Sequence, residues 1–303
     1  IHYEGIKMNH LMGIALIIIS AASFGTMAIF ADVVYGSGIT VPSLLFYRFA
    51  IAAVIMIPVV LWRRQPFPKG RDLVILIAMG GIGYAGQSYT FFTSLTLIPA
   101  SLTAILLYIY PVLVAMLSVY FLDEALTRKK LLALALALSG VVLVIGPELS
   151  GNPLGLLYGV AAAVIYAVYN IAGARVMKRN DTLNSSLVII LSAAGTYLLM
   201  NLKSGFFIPG DGTTWACIGA IGLICTFVAI YTYFLGMNRI GAVSASMLST
   251  FEPVTTVILA ALVLNQQLGW IQAGGGTLII MSALIVAVAN KGTADNEALQ
   301  ETS

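Results

Sequence analysis

The 303 residues are 60% hydrophobic and 9% charged, with a mean hydropathy of +0.99 and a formal net charge of +3. So few polar side chains cannot cover a water-soluble fold of this size, so the composition implies an all-α integral membrane protein with lipid as its surroundings. No basic block offers a nucleic-acid footprint, no cofactor or metal motif stands out, and Cys217 and Cys225 lack CxxC spacing and read as free, buried thiols.

Residues 1–10 read as an N-terminal tail, of which 1–7, ahead of the first methionine at Met8, are set aside as an expression remnant. Apolar runs of about 20 residues, enough to cross roughly 30 Å of hydrocarbon as helix, then recur with short polar breaks. They predict ten spans, at 11–34, 41–62, 73–95, 101–122, 131–146, 154–176, 183–202, 215–237, 242–264 and 268–290. The run at 131–146 is the shortest, and the polar residues 291–303 predict a disordered tail.

The stretch 98–144 returns as 240–286 at a constant offset of 142, placing Ala100 on Ala242, Leu106 on Leu248, Pro111 on Pro253 and Leu122 on Leu264. Carried backwards, the same offset puts Gly80 on Gly222 and Gly13 on Gly155. The chain is therefore a tandem of two halves, 11–150 and 151–290, meeting near Gly151, with five spans each. Basic residues fill alternate breaks: Arg63, Arg64, Lys69 and Arg71; Arg128, Lys129 and Lys130; Arg175, Lys178 and Arg179; then Arg239. The intervening loops hold only Lys203, which predicts cytoplasmic termini. An odd number of spans per half makes the repeats inverted, the arrangement that supports alternating access in transporters.

Each half carries a proline inside an apolar run, Pro111 and Pro253, where a lost amide should kink the helix and leave the Leu107 and Ser249 carbonyls without their usual donors. Paired interruptions of this kind point to a binding site near the midplane. Beside the second lies Glu252, a central carboxylate sharing a helical face with Ser244 and Thr255. Two roles are open to it: an acid at a substrate site, or a hydrogen-bonded structural group beside the kink. Asp32 and Arg48 fall at matching depths in spans one and two and predict a buried pair, although a free arginine could clamp a substrate carboxylate. Tyr84, Tyr89, Tyr108, Tyr110, Tyr166 and Tyr231, with Asn170, predict an aromatic-lined cavity. The string Gly81-Ile82-Gly83-Tyr84-Ala85-Gly86 matches a dinucleotide fingerprint, but it follows no strand; its glycines read as close helix contacts.

Phe46-Tyr47-Arg48-Phe49, Tyr110-Pro111-Val112, Glu252-Pro253-Val254 and Phe121-Leu122-Asp123-Glu124-Ala125-Leu126-Thr127 resemble the EamA-type branch of the drug/metabolite transporter superfamily. The second half departs from that pattern at Leu264-Asn265-Gln266-Gln267-Leu268, where the family often has an acidic residue. The resemblance implies two inverted five-helix repeats in a bacterial inner membrane and export of a small metabolite, aromatic and neutral amino acids first, with nucleobases or drugs as the alternative. A membrane enzyme is disfavoured because both histidines, His2 and His10, lie at the amino end and the acids do not cluster.

Overall fold

The computed structural model describes residues 2–124, 126–146, 152–263 and 269–300, without the side chains of 2–7, 28, 31–32, 100–101, 260 and 288–300. All regular structure among the described residues is helical. The expected junction near Gly151 and the 264–268 run lie outside them.

Span one is α1 (His2–Gly25) and α2 (Met27–Gly36), and span two is α3 (Val41–Arg63). Span three is α4 (Gly70–Ala78), a π-helical turn (Met79–Tyr84) and α5 (Ala85–Leu97); span four is α6 (Ala100–Leu107) and α7 (Tyr110–Phe121). The helix α8 (Arg128–Ile145) closes the first half. In the second, α9 (Pro153–Val176) and α10 (Thr182–Ser204) are followed by α11 (Gly212–Gly222), a second π turn (Leu223–Val228) and α12 (Ala229–Ile240). Then come α13 (Ala242–Leu248), a 3-10 turn (Ser249–Phe251), α14 (Glu252–Val263) and α15 (Trp270–Gln300).

Several starts are set by side-chain caps. Thr127, Asn152, Asp181 and Asp211 accept hydrogen bonds from backbone amides two or three residues ahead, satisfying donors that a helix leaves orphaned. The amide and hydroxyl of Thr214 hold the exposed Asp211 carboxyl below the usual carboxylate range. Nine helices among the described residues are long and apolar enough to cross a membrane. The expected fifth span is helical too, as α8, but Arg128, Lys129 and Lys130 open its 18 residues. Its apolar remainder is about 23 Å long at 1.5 Å per residue, short of the roughly 30 Å core. The first helix, α1, begins at His2, and α15 runs to Gln300 where a disordered tail was expected, because Ala-, Glu- and Leu-containing sequence without proline gives the helix no stop. Outward-facing apolar side chains such as Val54, Leu61, Leu199 and Leu284 suit a lipid surround.

The halves pack as an exchange of partners. α1 lies on α12 and α9 lies on α5, while α3 pairs with α10 and α8 with α15. The offset of 142 carries these contacts across residue by residue. A Cβ on Gly13 would fall 2.6 Å from Ile240 Cγ2 and 2.8 Å from Arg239 Cβ; one on Gly155 would fall 2.6 Å from Ile98 Cγ2 and 2.8 Å from Leu97 Cβ. Between α8 and α15, Gly140 faces the Gly275 carbonyl, and Ser282 Oγ donates to the Ala133 carbonyl at 2.7 Å, the same contact with the halves swapped.

Candidate functional site

Both prolines stand at real interruptions. In the first half Tyr108 and Ile109 separate α6 from α7; the Ile109 amide reaches back to Leu106 O, and the Val112 and Leu113 amides both reach Ile109 O. In the second half the chain tightens into the 3-10 turn, and the Glu252 amide donates to Ser249 O. The expectation of an unpaired Ser249 carbonyl is thereby corrected: an i→i+3 bond replaces the one the proline removed. Span one also breaks here. Gly25 ends α1 against α14, where a Cβ would lie 2.9 Å from the Glu252 carbonyl oxygen, and Thr256 Oγ1 donates to Gly25 O at 3.1 Å.

Arg48 is 3% exposed. Its Nε donates to Thr226 Oγ1 at 2.6 Å, and its Nη2 donates to the Tyr84 hydroxyl at 3.0 Å and to the Cys225 carbonyl at 3.1 Å. Tyr84 closes the first π turn, and Cys225 and Thr226 lie in the second. A π turn shifts the hydrogen-bond ladder and presents groups that an α-helix would bury in its own bonds; Thr226 Oγ1 in turn donates to Ile221 O, five residues back, at 2.9 Å. One guanidinium therefore fastens span two to the wound-out turns of both halves. Its Nη1 reaches only Met27 Sδ, at 4.0 Å, among the described residues. The expected Asp32–Arg48 pair falls outside them, since the Asp32 side chain is not described.

Arg48 and Glu252 line one cavity of about 80 Å³. Span three supplies Tyr84, Gln87, Ser88, Phe91 and Phe92, the i, i+3, i+4, i+7, i+8 face of one helix; span one adds Phe24 and Met27, and Leu107 and Tyr166 complete the wall. No ion pair joins the two charges. The Tyr108 hydroxyl and, through space, Arg48 are among the polar groups that act on the Glu252 carboxylate. Behind the wall the rings pack on one another: Tyr84 on Tyr169 at 5.4 Å, Tyr169 on Tyr166 at 6.0 Å and Tyr166 on Tyr110 at 4.6 Å between centroids.

Of the residues expected at the site, Arg48, Tyr84, Tyr166 and Glu252 meet in the cavity. Tyr108 and Tyr110 flank it from the break, with the Tyr110 hydroxyl donating to Ser246 O at 3.3 Å. Pro111, Pro253 and Ser244 are buried but do not line it. Two tyrosines are elsewhere. Tyr89 is 38% exposed: five residues beyond Tyr84 it points about 140° away at 100° per residue. The Tyr231 hydroxyl accepts from Arg63 Nη1 at 3.0 Å, at the end bearing the basic loops. Asn170 has its amide engaged inside the bundle, Nδ2 donating to Tyr166 O at 2.7 Å and Oδ1 accepting from the Tyr233 hydroxyl. Gln87, Ser88, Phe91 and Phe92 were missed, although helical spacing from Tyr84 marks all four.

Among the described residues no cluster of three or more His, Cys, Asp or Glu could hold a metal. Of the glycines in the Gly81–Gly86 string, Gly81 lies against α10, where Thr196 Oγ1 donates to its carbonyl at 2.9 Å, while a Cβ on Gly83 or Gly86 would meet only ordinary contacts at 3.5 and 3.9 Å; the close backbone approach, to Ile189, is made by Gly80 just before the string.

Several known proteins are similar to this chain. An uncharacterized transporter, YyaM of Bacillus subtilis, is 25% identical over 252 residues, covering 78% of this chain and 81% of its own. The aromatic amino acid exporter YddG of Ancylobacter novellus is 26% identical over 229 residues, 74% of this chain and 75% of its own. A solved crystal structure superposes with a TM-score of 0.78 over 94% of this chain and 98% of the other at 23% identity, a likeness of fold. The model of the EamA-like transporter family matches residues 11–146 and again 153–288. With both halves matched, and with the cavity where they meet, the chain belongs to the EamA-like transporter family.

Proposed function

We propose that the chain is a secondary transporter that exports aromatic and other neutral amino acids by alternating access. It does so as ten spans in two inverted repeats, 11–150 and 151–290, with both termini cytoplasmic in a bacterial inner membrane. The observation that carries this reading is the cavity itself, with a buried guanidinium and a carboxylate facing it from different spans and aromatic rings between them. An amino acid brings the complementary set: a carboxylate for Arg48, an ammonium for Glu252 and an apolar side chain for Phe24, Phe91, Phe92 and Tyr166. The name of the Ancylobacter relative supports the same substrate class. The exchanged contacts of Gly13 and Gly155 support the two-fold relation that alternating access requires.

A cavity of about 80 Å³ accommodates several waters, well below the roughly 300 Å³ at which small-molecule pockets begin. Substrate entry therefore widens it, and the interruptions at Gly25, Tyr108–Ile109 and Ser249–Phe251 are the places where the spans bend. The test is counterflow in proteoliposomes loaded in turn with phenylalanine, tryptophan, alanine, adenine and a cationic drug. Saturable exchange of labelled phenylalanine, competed by tryptophan but not by adenine, is expected; exchange of adenine or the drug alone would replace the amino-acid assignment.

A further inference from the structure

A second cleft, of about 590 Å³, opens at the end of the molecule that carries the basic loops, between the start of α4 and the end of α9. Four cations line it, Arg71, Arg175, Lys178 and Arg179, with Ile75, Ala172 and Val176 forming its apolar inner part. One carboxylate lies alongside: Asp72 accepts from Arg179 Nη2 at 2.9 Å and from Asn180 Nδ2 at 2.8 Å, tying α4 to the segment after α9. Arg175 is held by neutral groups, its Nε donating to Phe121 O at 2.9 Å and its guanidinium lying over the Phe121 ring, so no carboxylate balances its charge. Arg71 and Lys178 make no hydrogen bond or ion pair among the described residues. One of the four charges is balanced and three are not.

Beyond this basic rim the same two helices carry exposed apolar side chains next to the cleft, Val74 one turn on from Arg71 on α4 and Val164 and Val168 on the Ala172 stripe of α9. A cationic cleft with an apolar floor, opening onto a lipid-facing apolar surface, matches a molecule with an anionic head and hydrocarbon tails. We propose that this cleft binds the phosphate of an anionic phospholipid headgroup, with the acyl chains lying along α4 and α9. The headgroup bridges Arg71 to Lys178 and so holds the ends of spans three and six together, beside the Asp72–Arg179 pair. A free anion would need the cations but not the apolar floor or the exposed valines, which is why the lipid is favoured.

The full chain in neutral detergent is melted with added phosphatidylglycerol, phosphatidylcholine or inorganic phosphate, and lipid adducts are counted by native mass spectrometry. Phosphatidylglycerol is expected to raise the midpoint by at least about 2–4 °C over phosphatidylcholine, with no matching effect of phosphate. In the double variant Arg71→Gln with Lys178→Gln the selective increment disappears and phosphatidylglycerol binding weakens about thirty-fold. The control Arg128→Gln with Lys129→Gln, exposed at the start of α8, retains both. Should the double variant not fold, Ala172→Phe fills the cleft with all four cations kept and is expected to lose the same increment. Equal stabilisation by the two lipids, a selective increment that survives in Arg71→Gln with Lys178→Gln or in Ala172→Phe, or an equal effect of inorganic phosphate would overturn the proposal, the last by making the cleft a free-anion site.

Discussion

Arg48 and Thr226, 178 residues apart, are joined by a 2.6 Å hydrogen bond between a buried guanidinium and the hydroxyl of a π turn in the other half of the chain. With the bonds to Tyr84 and Cys225, it makes one side chain the tie between three spans. Bonds to a charged donor contribute about 1.5–3 kcal/mol each, and a buried donor left without an acceptor costs its desolvation in full. Arg48 therefore does structural work and keeps a face for the cavity.

Removing the Thr226 hydroxyl tests that structural share. Thr226→Ala strands Arg48 Nε and should destabilise by about 1–3 kcal/mol, lowering the melting temperature in detergent by several degrees, whereas Thr226→Ser restores the acceptor and most of the stability. Identical melting of the two variants would show that the bond contributes nothing.

The exchanged glycine contacts predict matched costs. A methyl added at Gly13 or Gly155 meets side-chain carbons at 2.6 Å, so Gly13→Ala and Gly155→Ala should each lose about 1–3 kcal/mol through overpacking. Gly219→Ala, with nothing within 4 Å of its Cβ, should be neutral or stabilising. Trimming the opposing side chain is the check: Ile240→Ala should partly rescue Gly13→Ala, and Ile98→Ala should partly rescue Gly155→Ala, the 2.8 Å approaches to Arg239 Cβ and Leu97 Cβ remaining. No rescue in either pair would mean that the isoleucine contacts are not the source of the cost.

The fold was largely legible because its two signals, long apolar runs and a repeat at constant offset, survive in one sequence. The site was legible in part. Glu252, Arg48 and the paired prolines stand out as polar groups or interruptions in apolar runs, and burial makes such features informative. The π turns leave no comparable mark: one extra residue per turn changes a hydrogen-bond register, not a composition, so the acceptors of Arg48 at Cys225 and Thr226 could not be read in advance. Asp32, the partner expected for Arg48, has a side chain outside the described residues. Tyrosine identity alone does not give position, since Tyr89 and Tyr231 carry the same ring as Tyr84 away from the cavity. Helical arithmetic from Tyr84 would have excluded Tyr89 and supplied Gln87, Ser88, Phe91 and Phe92.

Orientation has its own test. With Cys217 and Cys225 replaced, a single cysteine at Lys203 should react with an impermeant maleimide applied from outside, and one at Lys129 only after permeabilisation. The reverse pattern would turn the molecule over, with both termini outside, whereas labelling of both positions from one side would remove the inverted-repeat reading.

Glu252 is the sharper case, because the two roles open to it make opposite forecasts. As the partner of a substrate ammonium, the carboxylate matters for its charge. Glu252→Gln keeps the side-chain volume and a carbonyl for the Tyr108 hydroxyl, yet should cut phenylalanine counterflow at least about ten-fold at normal expression, given the 2–5 kcal/mol that a desolvated charge partner is worth. Phenylpropionate, which lacks the ammonium, should then lose its disadvantage relative to phenylalanine in competition with the variant. As a structural group beside Pro253, the side chain matters for its hydrogen bonds, so Glu252→Ala would fold poorly while Glu252→Gln transported normally. Counterflow by purified Glu252→Gln separates these outcomes, since undiminished exchange of phenylalanine leaves the carboxylate no role at the substrate.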